Sequence, residues 1–155
     1  MQGAISKTVK VIHVQGAKDM NGTALTAEWI NLKNAEKVRW IISCGVLNAN
    51  SSAAVTLTQA TSDGGTPASL SLDTYDSISG ETVTATAVTS DTFNIVTGHS
   101  DTTIVIEAKA SDLNVTDGYD WVTLNIASPG GYSTLYSVTA EVSNLKYGSG
   151  ATVLA

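Results

Sequence analysis

The sequence predicts an all-β protein: an antiparallel two-sheet β-sandwich of jelly-roll type, with about 8–10 strands and little or no helix. Three observations predict it. The chain of 155 residues carries 21 Thr and 17 Ser, about a quarter of its length. Thr is β-branched and suits a pleated surface, while its hydroxyl keeps that surface wet. Short apolar stretches recur along the chain, several with period two, and Asp, Ser, Asn or Gly separates them at near-regular spacing.

Taken in order, "KTVKVIHV" alternates through Val9 and Val11 and becomes ambiguous at Ile12. "LTAEWINL" precedes a short charged turn at Asn34 to Lys37. "VRWIISCGVL" is a continuous apolar run, the pattern of a strand buried on both faces. "AAVTLTQA" puts Val55 and Leu57 on one face and Thr56 and Thr58 on the other. "ASLSLD", "TVTATAV", "TFNIV" and "TTIVIEA" follow, and "DWVTLNIA" and "TLYSVTAEVSNL" close the series around "SPGGYS". The glycines of "TSDGGTP" and "SPGG" tolerate positive φ, and proline fixes φ where the chain reverses. An immunoglobulin-like sandwich is the alternative, but its Cys…Trp…Cys pattern is missing.

The length suits one domain spanning residues 1–155, with the first ~15 and last ~8 residues expected as extended arms that contact neighbours. Cys44 is the single cysteine and lies in an apolar run, which predicts a buried, inert thiol. The first residues show no signal-peptide-like apolar run, and no segment has the length to span a bilayer. The expectation is synthesis in a host cytoplasm without a leader, and no membrane partner.

Charged residues are 14% of the chain against roughly 25% in typical soluble domains. The net charge of −6 argues against a nucleic-acid partner bound through its phosphates. Residues 1–40 hold six basic side chains (Lys7, Lys10, Lys18, Lys33, Lys37, Arg39) against three acids, a net +3. Residues 41–155 hold two basic side chains against eleven acids, a net −9. That split reads either as ion pairing within the fold or as a basic docking surface on an acidic protein.

Candidate chemistry is sparse. In "DLNVTDGYDWVTLNIA", Asp112, Asn114 and Asp117 are the candidate calcium ligands. Asp117 stands where an EF-hand needs its turn glycine, and Thr123 where a bidentate Glu belongs. The competing reading is a series of turns in which Asx side chains accept backbone N–H groups, with Gly118 opening a strand and Trp121 or Val122 turning inward. No acid spacing selects a glycosidase pair, no nucleophile elbow surrounds a Ser, and no phosphate-cradling loop occurs. Neither an enzyme nor a cofactor is expected. Trp29, Trp40, Trp121, Tyr119, Tyr132 and Tyr136 include possible stacking platforms for surface glycans, although aromatics in sandwiches are more often core.

Four segments carry a resemblance: "MNGTALTAEWINLKNAEKVRWIISCGVL", "AAVTLTQATSDGGTPASLSL", "IVIEAKASDLNVTDGYDWVTLNIA" and "SVTAEVSNLKYG". Over most of its length the chain resembles small structural proteins of tailed-bacteriophage virions, departing at "PAS" after "GGT". The resemblance implies a capsid decoration or other auxiliary virion protein, located on the capsid exterior. Its implied partner is the major capsid protein, bound as a homo-oligomer, with a trimer at lattice threefold positions favoured. Lys7, Lys10, Lys18, Lys33, Lys37 and Arg39 are the capsid-docking candidates. A carbohydrate-binding adsorption module and a tail or head–tail connector protein are the alternatives.

Overall fold

Twelve strands form among the residues that the computed structural model describes, 9–146 and 153–154. They are β1 (Val9–Asp19), β2 (Leu25–Thr26), β3 (Ile30–Asn31), β4 (Lys37–Leu47), β5 (Ser52–Ala60), β6 (Ala68–Leu70), β7 (Thr74–Ser79), β8 (Thr82–Ala87), β9 (Phe93–Val96), β10 (Thr103–Lys109), β11 (Trp121–Ile126) and β12 (Thr134–Ser143). Every pairing is antiparallel. The first sheet runs β1-β12-β4-β10-β7-β8, and the second runs β2-β11-β5-β6, with β3 on β11 and β9 on β5.

With β2 and β3 taken together and the β7–β8 hairpin and β9 left aside, eight chain-ordered positions remain. They lie in the order one, eight, three, six in the first sheet and two, seven, four, five in the second. We read this as the jelly-roll type of sandwich.

The core is a buried apolar cluster that fills the space between the sheets. Val38, Trp40 and Ile42 of β4, Ile104 and Ile106 of β10, and Val138 and Ala140 of β12 face Val55 of β5 and Val122 and Leu124 of β11. Val55 and Leu57 are buried and Thr56 and Thr58 half-buried, as their alternation predicts. Cys44 is buried, and burial pushes its thiol up to about 11.

Three expectations need correction. The "VRWIISCGVL" strand is buried on one face only. Its outward residues include Ile41, half-exposed, and Val46, 70% exposed, because no third layer covers β4 among the described residues. "LTAEWINL" is split into two two-residue strands rather than one. Strand β7, "TYDSIS", was not expected, since its Ser and Asp content resembles a turn; β10 and β8 on either side hold it in the sheet. Gly80, at φ +59, makes the first position of the two-residue β7–β8 turn, where a primed turn needs positive φ.

Of the expected N-terminal arm, residues 9–15 belong to β1 and pair with β12, and residues 1–8 lie outside the described residues. Of the C-terminal arm, Val153 is buried and its carbonyl accepts the Asn31 amide at 2.8 Å. Residues 148–152 and 155 of that arm lie outside the description.

Two local devices fix the strands, one within the first sheet and one between the sheets. At the end of β1 the Asp19 carboxylate accepts the Thr134 amide at 2.9 Å, the Ser133 hydroxyl at 2.8 Å and the Asn21 amide at 3.1 Å. The Thr134 and Ser133 bonds hold its pKa below the usual aspartate value. The second device joins the two sheets. Tyr75 of β7 stacks on Phe93 of β9 with centroids 4.0 Å apart and 17° between planes. His99, in a 3₁₀ turn at Thr97–His99, meets both rings edge-on. Its Nδ1 accepts the Val96 amide at 3.2 Å, which leaves the proton on Nε2 to bond the Tyr75 hydroxyl at 3.2 Å.

Burial pushes the His99 pKa below its ordinary value, so the folded protein takes up this proton at lower pH than the unfolded chain. The stability tied to neutral His99 is therefore complete above about pH 6.5 and is lost as pH falls through the folded-state pKa. The urea midpoint is expected to decline from pH 7.5 to pH 5.5 in the native protein and to decline less in His99→Gln. Parallel profiles for the two proteins would contradict the assignment.

Candidate binding face

The outward face of the first sheet is a broad surface whose residues come from all six strands. Directly opposed residues of antiparallel strands share a face, so the pairing registers give its rows. One row runs Val11, Glu141, Arg39, Glu107 across β1, β12, β4 and β10. The next runs His13, Thr139, Ile41, Val105, Asp76, Ala85 from β1 to β8. A third includes Ser43, Thr103, Ile78 and Val83. Ile41 and Val105 thus stand side by side on one row, and Ile78 and Val83 continue an apolar strip diagonally toward the sheet edge. Val83 is 60% exposed. A shallow groove of about 580 Å³ lies over this strip.

The charged row is internally compensated. Glu107 Oε2 accepts from Arg39 Nε at 2.7 Å and from Lys37 Nζ at 3.1 Å. Burial acts to raise the Glu107 pKa, but the hydrogen bonds from Arg39 and Lys37 outweigh it and hold the carboxyl below its usual value. Such a half-exposed network orients charge on the face and adds little to stability.

The docking candidates are not gathered on this face. Lys37 and Arg39 stand on it, both bound to Glu107. Lys10 pairs in register with the buried Val142, which places it on the opposite side of edge strand β1. Lys18 lies toward the other end of β1, opposite Tyr136, and Lys33 in the turn after β3. Lys7 lies outside the described residues.

The calcium candidates are occupied by local bonds. The Asp112 carboxylate accepts the Lys109 amide at 2.8 Å, and Asn114 Nδ2 donates to Asp117 Oδ2 at 2.6 Å. The Asn114 amide donates to Gln59 Oε1 at 2.9 Å, tying this corner to β5. Gly118, at φ +83, ends the 3₁₀ turn Val115–Asp117, and Val122 turns into the core. Among the described residues no three His, Cys, Asp or Glu side chains cluster as metal ligands would.

Of the aromatic candidates, Trp40 and Tyr136 are fully buried and have no free ring face. Trp29, Trp121 and Tyr119 are half-exposed, and Tyr132 is 43% exposed in the turn before β12.

Sequence reasoning did not find the apolar strip. A signal was present: alternation breaks at Trp40-Ile41-Ile42 and again at Ile104-Val105-Ile106, and these two interruptions pair with each other.

No family model matches the chain, and no curated protein matches it. Among solved structures, the crystal structure of SPBc2 prophage-derived protein YomS aligns over 86% of this chain and 91% of its own, at 12% identity and a TM-score of 0.43.

Proposed function

We propose that the protein is a non-enzymatic structural component of a phage particle: a decoration protein that binds and stabilises the outer capsid surface as an oligomer. The observation that carries this reading is the outward face of the first sheet. It is wide and shallow, with the apolar strip Ile41–Val105–Ile78–Val83 beside a fixed row of charge, the form of a surface that meets another surface. The sequence resemblance to phage virion proteins over most of the chain points the same way. Many copies on a lattice, each making a modest contact, stabilise the shell by avidity.

Quantitative mass spectrometry of purified particles tests the role. Copy numbers comparable to the major capsid protein on tail-free heads are expected; a few copies per particle would place the protein in the tail or the head–tail connector and end the decoration reading. Val105→Lys puts a charge at the centre of the strip while leaving the core face untouched. It is expected to weaken head binding about tenfold or more, roughly the effect of losing one buried Val side chain at an interface. Unchanged occupancy by this variant would remove the face from the interface.

A further inference from the structure

The four sheet edges are not alike. A free strand edge is a template for pairing, and folded proteins blunt it with short strands, bulges or charge. In the first sheet β1 is interrupted by register shifts on either side of Gln15 and carries Lys10 and Lys18. In the second sheet the outer strands β2, β3, β6 and β9 are two, two, three and four residues long. Strand β8 has none of these devices. Its six residues, "TVTATA", are uncharged, lack proline, pair with β7 without a register shift, and are exposed except for half-buried Thr86.

The register fixes which groups are free. Ser79 and Thr82 flank a two-residue turn, so they form a hydrogen-bonded pair, and Thr84 and Thr86 follow the same parity. The Val88 amide donating to the Asp73 carbonyl at 2.7 Å continues that alternation. Val83, Ala85 and Ala87 therefore direct their N–H and C=O groups away from β7, toward the open edge.

We infer that β8 is a self-association edge, which pairs antiparallel with β8 of a second copy about a twofold axis at Ala85. The sequence suits its own copy. Val83 falls opposite Ala87 of the second copy and Ala85 opposite Ala85, each pair exchanging two main-chain hydrogen bonds. Thr84 falls opposite Thr86, a favourable cross-strand pairing, and no two like charges are opposed. Glu81, beyond one end of the strand, lies at opposite ends of the pair in the two copies. The twofold axis is perpendicular to the sheet, so both apolar strips stay on one side of the joined sheet, each Val83 beside Ala87 of the other copy.

Two variants test the edge on the full chain. Ala85→Pro removes an outward N–H that the β7–β8 hairpin does not use, and Ala85→Lys places two ammonium groups directly opposite each other. Light scattering and sedimentation are expected to give twice the 16.0 kDa chain mass for the native protein at tens of micromolar, and a monomer, or dimerisation at least tenfold weaker, for both variants. In amide exchange, Val83, Ala85 and Ala87 should be protected in the native dimer, and positions 83, 85 and 87 unprotected in Ala85→Lys, with β4 and β10 unchanged. A native monomer at tens of micromolar, a trimer of the kind a lattice threefold calls for, or a dimer that survives both substitutions would overturn the pairing. None of these outcomes depends on whether the protein binds a capsid.

Discussion

Trp40→Ala is expected to destabilise the protein by about 3–5 kcal/mol, the range for truncating a large aromatic in a close-packed core. Trp40 sits on β4, a central strand of the first sheet, with β12 on one side and β10 on the other, and it has no exposed surface. Its neighbours in register, Ile106 and Ala140, are also fully buried, so a rigid framework surrounds the cavity and cannot close on it. For a chain of this size such a loss lowers the melting temperature by about 6–20 °C. Trp40→Phe separates volume from polarity. The indole Nε1 is buried without a hydrogen-bond partner among the described residues, so phenylalanine removes an uncompensated polar group along with part of the ring. The two effects oppose each other, and the phenylalanine variant is expected to lose no more than about 1.5 kcal/mol. Thermal and urea unfolding of both variants check this. Equal losses in the two would mean that the indole N–H matters more than the volume of the ring.

What was legible in the sequence follows from where the determining forces act. The "AAVTLTQA" alternation is local, because one side of β5 meets the core and the other meets solvent, and a period of two records that directly. The turn role of Asp112, Asn114 and Asp117 was legible for the same reason, since their partners lie mostly within three residues. Strand β7 was hidden because neighbouring strands, not its own composition, make it a strand. The apolar face was hidden because its rows are assembled across strands far apart in the chain. Arg39 meets Glu107 over 68 residues, and only the topology brings them side by side. The +3/−9 charge split suggested a basic docking surface or pairing within the fold; for Lys37 and Arg39 the structure has the pairing. The openness of the β8 edge could not be read from "TVTATAV", which is equally a central or an edge strand until the strand order is known.

Phe93→Ala is expected to cost about 3 kcal/mol, toward the lower end of the range for Phe truncation because the ring is 9% exposed. Its consequence reaches further than its own strand. The β7–β8 hairpin joins the first sheet through three residue pairs with β10, from Thr103–Ile78 to Val105–Asp76. Its tie to the second sheet is the Tyr75 ring stacked on Phe93, with His99 edge-on to both. Without Phe93 that tie is broken, and Tyr75 and His99 gain access to water. Three readouts should move together: amide exchange across β7 and β8 quickens, the pH dependence assigned to His99 flattens as its burial is lost, and pairing through the β8 edge weakens because the hairpin that carries it is less firmly held. Phe93→Leu keeps most of the apolar volume but not the ring contacts, so about 1 kcal/mol, near the usual strength of an aromatic pair, is expected for it. If the alanine variant unfolds more easily yet leaves exchange in β7 and β8 and the pH profile as they were, Phe93 only fills space in the core. In that case the hairpin is held by β10 alone.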